Sequence, residues 1–356
     1  MAGPLAGVRV VEFGSIGPGP HCAMLLSDFG ADVLRIERPG GNGWPNPIVD
    51  RGRAVLELDI RTPEGVTRTL DALDRADVVI EGFRPGVMER LGLGPAVCLE
   101  RNPRLVYGRM TGWGQDGPLA KAAGHDINYI ALTGALAAIG RVGEPAQPPL
   151  NLVGDFGGGS MYLAFGIMAA LFERGASGKG QVIDAAIVDG VSHMMGFFAG
   201  LLPDSRMSLD RSDNMLGGAA PFYRCYLCAD GREIAIGSIE PQFYATLLRI
   251  VGPQVAGLRG QADSAAWPAQ AETLAAIFRQ RTCAEWCAVL EGTDACFAPV
   301  LDLTEAAAHP HMAARQTFVD VGGLSQAAPA PRLSRTPGAV QATTDAAAML
   351  QRWRGD

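Results

Sequence analysis

The chain has 356 residues, 48% hydrophobic and 19% charged, a composition that excludes intrinsic disorder and leaves room for two domains. Its formal net charge of −7 offers no general basic surface, so no nucleic-acid partner is expected. Seven cysteines, an odd number, fit reduced thiols better than a disulfide framework. No basic-then-apolar leader and no uninterrupted apolar stretch of bilayer length is evident, which points to a soluble, cytoplasmic protein without a membrane partner.

The first elements set the fold class. Gly7 to Phe13 is a short apolar strand. A Gly-Pro-Gly-Pro turn at 17–20 and a helix from about His21 to Phe29 follow, and Ala31 to Ile36 is a second strand. Strand, glycine turn, helix and strand form the signature of a parallel α/β sheet. A dinucleotide fingerprint fails here, because Gly17-Pro-Gly19 is followed by Cys22 where a third glycine belongs, and two prolines occupy the turn. Val55–Leu58, Asp77–Glu81 and Leu105–Met110 continue the strands, with a helix from Thr62 to about Asp74. Loops after such strand ends hold ligands in open α/β sheets. Thirteen arginines fall in the first 110 residues, and Lys121 and Lys179 are the only lysines. Arg38, Arg61, Arg84 and Arg90 stand where an anion would dock, although ion pairing on a solvated face accounts for them equally well.

The stretch from Gly124 to Ser160 is the most informative. It places His125 and Asp155 thirty residues apart, each at a glycine-flanked junction, and the second junction leads into an apolar run that reads as a buried helix. A histidine and a carboxylate held this way are suited to moving a proton to and from carbon. Gly178-Lys-Gly-Gln181 lacks the Ser/Thr of a phosphate loop and precedes a strand, Val182 to Val188, rather than a helix. An apolar helix from about Gly190 to Leu201 closes the first part of the chain.

Beyond a polar stretch, Phe222–Cys228 and Arg232–Ser238 flank an Asp-Gly turn and predict a hairpin. Cys225 and Cys228 then point to opposite faces, and Cys283 with Cys287 fits helix packing, so no metal site is expected. Glu240 precedes a proline at a helix start, where an acid is favoured by the helix dipole. Thr282-Cys-Ala-Glu285 is a capping box, and a last helix is expected near Thr343 to Arg352. The expected domains are residues 1–202 completed by 325–356, a linker at 203–218, and a smaller α/β domain at 219–324.

Seven motifs in order resemble one family. They are Gly-Pro-Gly-Pro (17–20), Arg-Ile-Glu-Arg-Pro (35–39), Glu-Gly-Phe-Arg-Pro-Gly (81–86), Arg-Met-Thr-Gly-Trp-Gly-Gln (109–115), the Gly-His-Asp-Ile-Asn-Tyr and Asn-Leu-Val-Gly-Asp-Phe-Gly-Gly-Gly-Ser pair, and Ile-Glu-Pro-Gln-Phe-Tyr (239–244). Together they resemble the family III CoA-transferase (CaiB-BaiF) superfamily, and within it the bacterial acyl-CoA racemases. The resemblance implies a large Rossmann-like parallel-sheet domain, a smaller α/β domain and an interlocked homodimer. It implies a 2-methylacyl-CoA thioester substrate and no cofactor beyond the CoA of that substrate. His125, Asp155 and Glu240 match the family's catalytic positions. Its CoA-contacting positions map to Arg38, to Leu58, Asp59, Ile60 and Arg61, to Gly82, Phe83 and Arg84, to Arg90, and to Gly124, Asp126, Ile127, Asn128 and Tyr129. The implied reaction is racemisation at C2: His125 and Asp155 serve opposite faces of an enolate, Glu240 supports the His125 imidazolium, and a backbone amide near Asp126 meets the enolate oxygen. Met194, Met195 and Met215 are candidates for an apolar acyl pocket. The alternatives are a CoA-transferase in which Asp155 attacks the thioester, and a non-catalytic acyl-CoA-binding protein. A role for His125 with Glu240 separates racemisation from both.

Overall fold

The computed structural model describes residues 3–41, 43–141, 143–255, 258 and 260–355. The chain forms two compact units, Met1–Ala135 with Pro148–Met195 and Gln316–Asp356, and Leu136–Gln147 with Gly196–Arg315.

The first unit is built on strands β1 (Arg9–Phe13), β2 (Asp32–Glu37), β3 (Arg53–Glu57), β4 (Val78–Glu81), β5 (Val106–Thr111) and β6 (Val182–Ala186). All pair in parallel, in the order β3-β2-β1-β4-β5-β6. The central strands are buried on both faces, as helix-covered parallel strands must be: Val10, Val11, Val78, Val79, Val106 and Tyr107 are fully inaccessible. Order reverses between β1 and β4, so the crossovers leave this edge from both sides and open a crevice at the strands' carboxyl ends. Helix α1 (Pro18–Asp28) leaves β1 for β2, and α2 (Pro63–Leu73) starts at a Thr62 cap whose Oγ1 accepts from the Gly65 N–H.

Buried ion pairs lie beneath the sheet's first edge. Arg53 and Glu12 are almost wholly inaccessible and meet at 3.1 Å, and Arg51 forks onto Asp28 at 2.5 and 2.9 Å. Arg35 joins Glu37 and reaches Asp50 at 2.5 Å, which fixes the segment before β3.

After β5 the chain forms α3 (Asp126–Leu132), a π-helical stretch Leu152–Ser160, then α4 (Met161–Ser177), β6 and α5 (Ile187–Ala199). Three expectations are corrected here. The glycine-rich 152–160 segment, expected as a junction, is itself helical, and it joins α4 in a 26-residue run long and apolar enough, by length and composition, to cross a membrane, where no such stretch was expected. The sheet nonetheless takes one side of α4: Leu163 approaches Gly108 of β5, and Ile183 of β6 approaches Gly166. Nor is α4 buried all round, because Phe165 and Phe172 are 74% and 88% exposed. Finally, β6 stops at Ala186 and α5 begins at once, so Ile187 and Val188 are helical rather than strand.

The second unit carries an antiparallel sheet of β7 (Tyr223–Leu227), β8 (Glu233–Gly237) and β9 (Phe297–Pro299), with the hairpin turn at Asp230-Gly231. Helices α6 (Pro241–Val251), α7 (Trp267–Phe278) and α8 (Cys283–Leu290) supply Leu247, Leu274, Phe278 and Trp286 to its core. The Thr282–Glu285 capping box forms as the spacing predicts. Cys225 is exposed and Cys228 buried, the opposite-face placement expected of the pair.

Unit boundaries differ from those expected in three places, the first being that the large unit gives way at Met195 rather than at 202. Leu136–Gln147 joins the second unit, where the Arg211 guanidinium donates to the Ile139 carbonyl, and the 203–218 segment belongs to that unit rather than bridging two. The chain returns to the first unit at Gln316 instead of 325, because the hairpin Phe318–Val321/Leu324–Ala327 is held by Arg51 bonds to the Gln326 side chain and Ala327 carbonyl.

Candidate active site

At the reversal between β1 and β4 lies a cleft of about 1130 Å³, lined entirely by first-unit residues. Its floor comes from the turns after β1 (Ser15–Pro20), after β4 (Gly82–Pro85) and after β5 (Gly112, Trp113), together with Ile187 beyond β6. His125 and Asp155 both line it. Tertiary structure therefore brings together the two groups that the sequence singled out.

His125 sits in extended backbone at the N-cap of α3 and is exposed. The Asn128 side chain accepts its backbone N–H at 3.0 Å, while the His125 carbonyl accepts the Asn128 N–H at 2.8 Å. The ring of Tyr129 anchors the preceding residues. It packs edge-on against Trp113 at 4.8 Å, and its hydroxyl donates to the Gly124 carbonyl. A methyl at Gly112 would lie 2.0 Å from the Tyr129 ring and one at Gly124 2.7 Å, so both positions exclude any side chain. His125 is thereby presented by a rigid aromatic clasp.

Asp155 is half-buried in the π-helical stretch, a geometry that single-turn insertions often adopt at functional sites. Asn151 donates to its Oδ2 at 3.1 Å, and its backbone N–H donates to Asp126 Oδ1 at 2.6 Å. Gly17, at φ +72°, faces the same carboxylate: a Cβ there would stand 2.9 Å from Oδ2. Burial raises the proton affinity of Asp155 above the ordinary carboxylate range; the Asn151 bond opposes this, Asp126 adds to it, and His125 opposes it. Such a carboxyl is a stronger base than an exposed one and holds a proton to higher pH, so that its acid form is available for the return step.

The family model for CoA-transferase family III matches residues 5–344. The chain belongs to this family. It is 48% identical over 342 residues to the Mus musculus α-methylacyl-CoA racemase, covering 96% of this chain and 89% of that protein. It is 44% identical to the Homo sapiens α-methylacyl-CoA racemase, covering 94% and 87%. A solved CaiB/BaiF family protein from Brucella suis superposes with a TM-score of 0.82 at 26% identity, over 99% of this chain and all of that one.

Of the positions that this family III member was expected to turn towards CoA, Gly82, Phe83, Arg84, Gly124, Asp126, Asn128 and Tyr129 line the cleft. Arg38, Leu58, Asp59, Ile60, Arg61, Arg90 and Ile127 lie outside it. Arg61 instead forks onto Asp59 at 2.9 Å on the surface, and this pairing holds the Asp59 carboxyl down at about 2. The Arg38 Nε donates to the Gly41 carbonyl at 2.6 Å. The Arg84 loop is fixed from below by Glu81, which is 1% exposed: Oε2 accepts the Phe83 N–H at 2.7 Å and Oε1 accepts from Arg109 at 2.9 Å.

Glu240 lies in the second unit, at the N-cap of α6, where its carbonyl accepts the Phe243 and Tyr244 N–H groups at 3.0 Å. Met194, Met195 and Met215 do not line the cleft; Ile16, Phe83, Met110 and Phe156 supply its apolar wall. Met215 packs against the second unit's core instead. Sequence reasoning missed Asn151 and Gly17. Both were visible only as members of glycine-rich motifs: Asn151 meets Asp155 four residues along the same stretch, whereas Gly17 meets it only where two distant segments approach.

Proposed function

We propose that this protein is an α-methylacyl-CoA racemase that interconverts (R)- and (S)-2-methylacyl-CoA thioesters. The observation carrying this reading is that His125 and Asp155, two groups able to exchange a proton, line one cleft at the sheet's switch point. The identity to two racemases over nearly the whole chain supports the same reading.

One group removes the C2 proton, the electron pair delocalises onto the thioester oxygen, and the other group returns a proton to the opposite face. Asp155 acts as base from one enantiomer and as acid towards the other, a dual role that its raised proton affinity favours. Asp126 opens α3, so its N–H is among those without an intrahelical partner and is suited to meet the enolate oxygen. In this reading Glu240 keeps the supporting role that the family resemblance implies, and Arg84, on the cleft wall, meets the CoA phosphates. No further cofactor is invoked, and the protein acts in the cytoplasm.

We also propose a homodimer. Met161, Phe165, Met168 and Phe172 follow helical spacing along α4 and leave an exposed apolar stripe, which a second copy would cover.

Proton NMR of the purified protein with one enantiomer of a 2-methylacyl-CoA in D₂O tests the reaction. Loss of the C2 proton signal, collapse of the methyl doublet and appearance of both epimers are expected. Retention of the C2 proton across a series of straight, branched and aromatic 2-methylacyl chains would refute the reading.

A further inference from the structure

We infer that Asp126 is a positioning residue for Asp155, clamping its backbone through one carboxylate oxygen and setting a second buried carboxylate beside it. This deepens the racemase reading and rests on it for the catalytic consequence, though not for the physical one.

Three observations carry the inference. Asp126 is only 8% exposed, yet it spans 29 residues of chain to accept the Asp155 N–H through Oδ1 at 2.6 Å. Its Oδ2 is buried and has no hydrogen-bond partner among the described residues. A methyl on Gly154 would fall 2.1 Å from Oδ1, so the residue before Asp155 has to be glycine for the approach to occur. A purely structural clamp needs one acceptor, and an amide or hydroxyl supplies that without leaving a buried carboxylate oxygen bare. Burying an acceptor without a partner is unfavourable. The carboxylate therefore calls for a reason beyond the bond.

Its place beside Asp155 supplies one. A like charge nearby disfavours ionisation, so Asp126 helps Asp155 to hold a proton in the half-reaction where it is the acid. Burial is the larger contribution to the Asp155 shift, and Asp126 adds to it. The Asp126 carboxyl is itself displaced upward by burial, against the Asp155 and Gly154 N–H groups. The other titratable or charged groups around the pair are His125 ahead of α3, Tyr129 on α3, Arg84 on the loop after β4, and His21 on α1. His21 is held at 2.6 Å from Ser160 Oγ and stacks on Phe156, and its charged form is disfavoured by burial and by Arg53 and Arg51. Asp126 is thus the anionic neighbour of Asp155 in this set.

Two variants of the full chain separate clamp from charge. Asp126→Asn retains an acceptor for the Asp155 N–H and removes the charge; Asp126→Ala removes both. The ¹³Cγ resonance of Asp155, assigned by its loss in Asp155→Asn, is followed through a pH titration. A lower titration midpoint in Asp126→Asn than in the wild type is expected, and an unchanged midpoint would overturn the inference whatever the substrate. With each 2-methylacyl-CoA enantiomer in D₂O, Asp126→Ala is expected to slow C2 proton loss on the Asp155 face by on the order of 10²-fold, and on the His125 face much less. Equal slowing on both faces would assign Asp126 a general structural role and overturn the positioning role. Absence of exchange by the wild type would instead count against the racemase reading and leave the titration result standing.

Discussion

The backbone N–H of Asp155 is held by the side chain of Asp126, at 2.6 Å, and the backbone N–H of His125 is held by the side chain of Asn128, at 3.0 Å. Each proposed acid/base group is thus fixed through its main chain by a residue of the Asp126–Leu132 helix. Both side chains line the cleft, that of Asp155 also accepting from Asn151 at 3.1 Å.

Replacing either group tests its role directly. His125→Ala and Asp155→Asn are each expected to lower the racemisation rate by ~10²–10⁴-fold. C2 proton loss should fall chiefly for the enantiomer facing the altered group, measured by NMR in D₂O. Unimpaired loss from both enantiomers would remove that residue from the chemistry.

The raised proton affinity of Asp155 has a sign that pH profiles can read. Proton abstraction by Asp155 requires its ionised form, so kcat/KM for that enantiomer should fall as pH drops through a value above the ordinary aspartate value of about 3.9. An acidic limb at or below the ordinary value would show that burial does not act on this carboxyl in solution.

Gly17→Ala introduces a methyl 2.9 Å from Asp155 Oδ2 at a residue whose φ is +72°. The left-handed backbone alone costs about 1–2 kcal/mol, and the displaced carboxylate should cost ~10-fold or more in kcat. Thermal unfolding and steady-state kinetics separate the two effects. A variant with a lowered Tm and unchanged kcat would show that the carboxylate has room to move.

Arg84→Ala should raise KM for the CoA thioester far more than it lowers kcat, because Arg84 lines the cleft as a cation suited to phosphate and carries no proton in the proposed reaction. Its support is separable: Glu81→Ala strips the buried Arg109 of one partner and frees the Phe83 N–H, at a cost of ~3 kcal/mol, with Glu89 still paired to Arg109. Chemical denaturation measures the second effect and substrate titration the first. A fall in kcat at unchanged KM in Arg84→Ala would move this residue from binding to chemistry.

Gly112→Ala should destabilise the protein by about 1–3 kcal/mol, since its methyl meets the Tyr129 ring at 2.0 Å. Combined with Tyr129→Ala, the penalty should shrink, and a double-mutant cycle reads the coupling. Additive losses would show that the ring and the glycine do not share space.

Strand positions, the α/β class, the Asp-Gly hairpin, the Thr282 capping box and the motifs marking His125 and Asp155 were all legible in the sequence. Each depends on periodicity or on a few neighbouring residues. Most of what the sequence left undecided depends on residues far apart along the chain, the pairing of Arg61 with Asp59 being the local exception. The 152–160 stretch reads only as a glycine-rich junction, yet it runs as π-helix, with Gly158 packed against Val191 too closely for a side chain and Gly159 tight against Ile187 and Pro18. Arg61 looked like an anion-binding residue, and its local partner Asp59 takes it up. The unit boundaries follow single long-range bonds, such as Arg51 to Gln326, which no local pattern announces. The residue types capable of proton transfer were therefore determined by the sequence itself. Which carboxylate is buried, what holds it, and what faces it were decided only when the loops after β1, β5 and α3 met at the edge where the sheet reverses.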